Sequence, residues 1–161
     1  MDNQTLIASM DFARNRLLGT LDAIEESGRE VREVLAWRPG PGRAHIGWQA
    51  MHCAATHDRY LNVGIRGGKP ADAALVGSFA GGTTPSDDNV PDLATARRAL
   101  DASFRALRDH VSTLESADFE RKLANGRAVG ESLVLLTWHE AHHQGQVHLT
   151  WNLYRQAHGV A

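Results

Sequence analysis

Pro91-Asp92-Leu93-Ala94-Thr95-Ala96-Arg97-Arg98-Ala99-Leu100-Asp101-Ala102-Ser103-Phe104-Arg105-Ala106-Leu107-Arg108-Asp109-His110-Val111-Ser112-Thr113-Leu114 is the most regular stretch of the chain. Leu93, Ala96, Leu100, Phe104, Leu107, Val111 and Leu114 keep a heptad-like spacing, which sets them on one side of an α-helix. Pro91-Asp92 makes a favourable start, because proline suits the first turn of a helix and aspartate can cap it. A helix over about residues 93–114 follows. Upstream, residues 66–91 hold Gly67-Gly68, Gly81-Gly82, Pro70, Pro85 and Pro91, with only a weak apolar run around Leu75, Val76 and Phe79. That composition predicts a long connection with at most a short helical turn.

Before the connection, a second helix is expected from about His45 to Ile65, preceded by the breaker Arg38-Pro-Gly-Pro-Gly-Arg43. The first helix, about residues 4–27, carries Leu6, Met10, Ala13, Leu17, Leu21 and Ile24 on one side, with Arg14, Arg16 and Asp22 mostly off it. Downstream of the turn at Asn125-Gly126, a last helix over about residues 130–156 turns Leu133, Leu136, Val147, Thr150, Trp151 and Tyr154 inward. No segment alternates as a strand does, and no repeat or low-complexity tract appears. Helices of ~20 residues, each about 30 Å long, predict an all-α four-helix bundle. Short turns join the first pair and the last pair, whereas the long crossover can travel the bundle length between helices two and three. The expected order is up, down, down, up.

The 161 residues suit one domain spanning 1–161, with a formal net charge of -2 that gives no basis for capturing nucleic acid. Cys53 is the only cysteine, which excludes an intrachain disulfide and any cysteine-based zinc finger and suits a reducing compartment. The first residues lack a basic and then apolar signal pattern, and no apolar run approaches the ~20 residues of a membrane span. A soluble, cytoplasmic protein is expected. Nine histidines and four tryptophans are the compositional surplus, and histidine is the side chain best suited to metal ligation near neutral pH.

On the last helix, Leu136, His139, His143, Val147, Thr150 and Tyr154 continue one face, so two histidines stand where a bundle core normally places aliphatics. An i, i+4 pair stacks two imidazoles one turn apart, within reach of a single ion. Catalytic metal sites usually take three protein ligands, so a third should come from a facing helix. In Gly47-Trp-Gln-Ala-Met-His52-Cys-Ala-Ala-Thr-His57, His52 shares a face with Trp48 and Ala55, whereas His57 is rotated away into a more polar setting. The expected metal ligands are therefore His52, His139 and His143, at the open end of the bundle. His139-Glu140-Ala141-His142-His143 also spells H-E-x-x-H, the zinc-peptidase string. Gly145 and His148 each fall one position too early for the extended protease motif, and no Asp or Glu follows Glu140, so the peptidase reading fails. Glu140 is the one weak catalytic candidate. It points off the His139 face, which favours a solvated or helix-contact role.

Trp48-Gln-Ala-Met-His52, followed by Trp138-His139-Glu-Ala-His-His143-Gln-Gly145-Gln146, resembles the DinB/YfiT-like superfamily in its histidine from helix two, its H-x3-H pair and its Gly-Gln. The resemblance covers nearly the whole chain. It implies an up-down-down-up bundle with His52, His139 and His143 as ligands of a divalent ion, zinc first, with nickel or iron as alternatives. It also implies metal-dependent chemistry on small substrates with a low-molecular-weight thiol as cosubstrate, as in mycothiol-dependent maleylpyruvate isomerase and the bacillithiol transferases.

Such a site would activate a thiol, or water, toward a small electrophile. The competing readings are a non-catalytic metal-binding or stress-associated bundle and a purely structural one. Around the site, Cys53 is expected as a buried structural thiol, one residue and about 100° from His52. His142 and Gln146 are expected near the ligands or at a helix contact beside Gly145. Trp48, Trp138, Trp151 and Tyr60 are expected in the core, and Arg59 and Arg66 at the surface, with an anionic substrate as their functional alternative. The partners expected are a small molecule, neither nucleic acid nor membrane, and a homodimer hinted at by the apolar aromatics.

Overall fold

The computed structural model describes residues 2–160. Its helices are α1 (Asn3–Glu25), α2 (Val31–Ala36), α3 (Ile46–Asp58), α4 (Ala73–Phe79), α5 (Leu93–Ser112), α6 (Ser116–Glu120) and α7 (Val129–His158). Without a break, α3 runs on into a π-helical segment, Arg59–Ile65. No strand forms among the described residues; Lys122 and Ala128 make one isolated bridge. The all-α expectation holds, and the four long helices lie where the apolar spacing set them. The differences are local. α1 stops at Glu25, α7 reaches His158, and α2 and α6 were not expected. In the crossover, α4 gives substance to the short helical turn, started by Asp72, whose carboxylate accepts from Leu75 N at 2.8 Å.

The helix starts are built by side chains that satisfy otherwise orphaned backbone N–H groups. Asp92 accepts from Thr95 N at 2.6 Å to start α5. A histidine caps α3: His45 Nδ1 accepts from Trp48 N at 3.0 Å, and its other nitrogen donates to Ser86 O at 3.1 Å. Accepting at Nδ1 requires neutral imidazole, and burial holds the His45 pKa below its ordinary value. Two residues on, a Cβ at Gly47 would sit 2.8 Å from Pro91 Cδ, so only glycine lets the beginnings of α3 and α5 meet.

Cross-helix contacts give the directions. Asp11 pairs with Arg108 at 3.0 Å and Asp22 with Arg97 at 2.7 Å, so α1 and α5 are antiparallel. His57 packs beside Phe104 while Gly47 meets Pro91, so α3 and α5 are parallel. Gln49 faces His143 and His52 faces His139, so α3 and α7 are antiparallel. At the end of α3, the buried Asp58 accepts from Ala71 N and Asp72 N, each at 2.8 Å, and ties the crossover to that helix. No helix among the described residues is long and apolar enough to cross a membrane.

Two apolar clusters fill the bundle. One gathers Leu17, Leu21, Met51, Val147 and Trp151; the other gathers Met10, Leu61, Leu107, Leu133 and Leu136. Between them along the axis lies a polar layer to which all four long helices contribute. Arg14 on α1 donates to the Glu140 carboxylate on α7 and to the Leu100 carbonyl on α5, and its guanidinium lies 4.4 Å from the Phe104 ring centre. His57 on α3 completes the layer, with Nδ1 3.5 Å from Arg14 and Nε2 3.3 Å from Glu140. Arg14, placed off the apolar side by the sequence, is instead buried at 3% exposure, because it carries its own counter-ion and acceptors into the core.

Removing one partner of such a pair strands the other charge away from water. Arg14→Met and Glu140→Leu should each cost about 3–5 kcal/mol in urea unfolding, and the double variant far less than their sum. Additive losses would show that the pair is not energetically coupled.

Candidate metal centre

One turn apart on α7, His139 and His143 bring their ring centres to 4.5 Å. His52 approaches from α3, with ring centres 4.9 Å from His139 and 4.7 Å from His143. Its Nε2 lies 3.0 Å from His139 Nε2, and one nitrogen from each of the three rings falls within 4.8 Å of the others. Nitrogens around a tetrahedral ion with bonds near 2.0–2.1 Å stand roughly 3.3 Å apart, so small side-chain adjustments suffice to seat one. Among the described residues no fourth His, Cys, Asp or Glu joins the cluster. The three histidines could hold a metal ion, and the donor set fits one with a coordination position left open.

The surroundings orient the rings. His52 Nδ1 lies 2.6 Å from Phe79 O, and a carbonyl can only accept, so this nitrogen carries the proton and Nε2 turns its lone pair toward the cluster. Trp48 lies flat on the same imidazole, 4.6 Å between centres and 9° between planes, and fixes its tilt. Gln49 Oε1 lies 3.5 Å from His143 Nδ1. Burial is the first cause of the lowered pKa of all three, reinforced at His139 and His143 by neighbouring imidazoles. The values reach about 4 for His139 and about 3 for His143, and that of His52 is lowered despite its bond to Phe79 O. At neutral pH every ring is uncharged, the form that ligates metals.

The site is not at an end of the bundle. It lies mid-length, beside the polar layer that separates the two apolar clusters, because His139 precedes Glu140 directly on α7. It opens sideways into a cavity of about 190 Å³ lined in part by His52, Thr56, Arg59, Tyr60, Gly81 and His139. Ala80 and Gly81 form one wall, so the crossover, which sequence reasoning treated as a connection, supplies both the partner of His52, Phe79 O, and part of the pocket.

Glu140 departs from its expected solvated role. It is 1% exposed, and its carboxylate is engaged by Arg14 and His57 on the core side of α7. Its helix-contact alternative holds. His57, read as polar, is likewise buried, but it is rotated off the triad as expected. The signal for this layer was present: Arg14 is four residues after Met10 and three before Leu17, and Glu140 is four after Leu136, all within apolar stripes.

Trp138 is 57% exposed and stacks outside on His142, so it leaves the core, whereas Trp48 and Trp151 are buried. Tyr60 is half-buried on the cavity wall. His142 and Gln146 pair with each other at 2.8 Å in exposed positions, and nothing approaches the place of a Cβ at Gly145, so no close helix contact forms there. Cys53 is fully buried and its thiol pKa is pushed up by burial, as an inert structural thiol requires.

Arginine can only donate, so His57 Nδ1 accepts from Arg14 and its Nε2–H faces Glu140; protonation would turn an N–H against the guanidinium. Burial first, then the Arg14 charge, depress the His57 pKa to about 3. A folded-state value below the unfolded one near 6.5 contributes stability that is present above about pH 6.5 and lost as pH falls toward 3. Between pH 6 and 4, unfolding of the wild type in metal-free buffer should lose about 1.4 kcal/mol more per pH unit than that of His57→Gln. Equal slopes would contradict a neutral buried His57.

No curated protein matches the chain. The sequence profile of the DinB superfamily matches residues 9–147, from within α1 to α7, and takes in all three histidines of the cluster. With the match covering most of its length, the chain belongs to the DinB superfamily.

Proposed function

We propose that His52, His139 and His143 hold a divalent ion, zinc first, with nickel or iron as alternatives, in a metal-dependent transferase or hydrolase. The enzyme activates a low-molecular-weight thiol, or water, toward a small electrophile. One observation carries this reading: three neutral imidazoles converge beside a cavity, and among the described residues no carboxylate or thiolate completes the set. An ion held only by neutral ligands keeps its full charge, and when bound it would stabilise a thiolate or lower the pKa of water.

The chain's own residues bind and orient. Phe79 O fixes the His52 tautomer, Trp48 holds its ring, and the Arg14–Glu140 pair fixes the rotation of α7 so that His139 and His143 face α3. Cys53 takes no part, since its thiol is fully buried and is not among the residues that line the cavity. The thiol is therefore an external cosubstrate.

Untagged wild type should contain about one metal ion per chain by elemental analysis, and His52→Ala, His139→Ala and His143→Ala should each contain far less, while His142→Ala keeps its content. Saturating zinc at about a hundred times its dissociation constant should stabilise the wild type by roughly 2.7 kcal/mol. As pH drops, protons compete for the three nitrogens and metal content should fall. Equal metal in wild type and His52→Ala would remove His52 from the site, and turnover surviving complete metal removal would sink the mechanism.

A further inference from the structure

The triad's cavity is lopsided in charge. No carboxylate is among its lining residues, and Glu140, next to His139 in the chain, faces the core and is paired with Arg14. Arg59 lies on the cavity wall, seven residues after His52 on the same continuous helical run. Arg59 is exposed and, like several other arginines, forms no ion pair among the described residues; what sets it apart is that it is the arginine that lines this cavity.

Arg59 also begins the π-helical segment, whose wider turn is confirmed by the bond from Arg66 N to Leu61 O at 3.0 Å. π-helical turns are rare and occur frequently at functional sites; this one closes the α3 run at Ile65 and has Arg59 at its first position. Thr56 and Tyr60 carry hydroxyls on the same wall, so His52, Thr56 and Arg59 with Tyr60 form a polar stripe at successive turns facing the pocket. An adjoining cavity of about 360 Å³ shares Arg59 and Tyr60, which therefore stand at the junction of the two spaces.

We propose that this cavity binds a small anionic ligand, with Arg59 holding its carboxylate while its other end lies at the histidines, about 10 Å away along the helix. The inference rests on the metal reading above. An ion on three neutral imidazoles and an unpaired guanidinium both leave positive charge facing a space with no counter-charge of its own, and an anion resolves that imbalance. The volume of about 190 Å³ is below the ~300 Å³ at which drug-sized sites begin, so the ligand is a small acid or the acidic end of a longer molecule.

The test uses zinc-loaded protein of measured zinc content and isothermal titration with two probes of matching length that differ only in charge, 6-mercaptohexanoate and 6-mercaptohexanamide. Wild type should bind the carboxylate about tenfold or more tightly than the amide. Arg59→Gln should bring that ratio near one without changing zinc content or amide affinity, and Arg59→Lys should restore part of the preference. Stoichiometric zinc with the same ratio in wild type and Arg59→Gln would overturn the anion site alone. Wild type that takes up no zinc would overturn the metal centre and this inference with it.

Discussion

A buried ion pair, Arg14 with Glu140, is the constraint on which the rest of this bundle depends. An isolated charge in an apolar interior is costly enough that each group enforces the position of the other. Arg14 reaches from α1 to a carboxylate on α7, a carbonyl on α5 and an imidazole on α3, so one side chain sets the register of four helices. An apolar core tolerates repacking and sliding of its helices. A layer in which each guanidinium nitrogen has its own partner does not, and this layer sits where the two apolar clusters meet.

The metal centre inherits its geometry from that layer. Glu140 is adjacent to His139, and fixing Glu140 toward the core fixes the azimuth of α7, which swings His139 and His143 toward α3. On α3, His57 is locked into the layer while His52, more than one turn earlier, projects to the triad. The same two helices thus present a charged, satisfied set inward and a neutral, ligating set toward the cavity. Burial serves both. It keeps the imidazoles uncharged, and it makes the ion pair too costly to break.

The crossover completes the site from outside the four-helix frame. Asp58 gathers its backbone at Ala71 and Asp72, α4 carries it across α3, and the Phe79 carbonyl at its end accepts the proton-bearing nitrogen of His52. A segment rich in glycine and proline can make that approach because it is not bound to helical geometry. The long connection therefore walls the pocket and sets a ligand's tautomer, beyond joining two parallel helices.

Periodicity alone was enough to place the four long helices, since a 3.6-residue repeat of apolar residues leaves few other ways to bury them. It also singled out His52, His139 and His143, because histidines at core-facing positions one turn apart are an anomaly visible in one dimension. What the pattern could not decide was how polar residues inside apolar stripes are satisfied. Arg14, His57 and Glu140 each look unfavourable in the core when taken singly. They become stable there only because three different helices bring them together: spacing can set each of them within an apolar stripe, but it does not say which of them pair across the bundle. The same holds for the site's place along the bundle and its sideways opening, which depend on where α4 and the Phe79 carbonyl settle. The sequence by itself determined the apolar stripes that turn inward on the four long helices; the tertiary structure decided which polar side chains join them and which partners meet, because counter-charges and hydrogen-bond partners distant in the chain become neighbours only once the helices have packed.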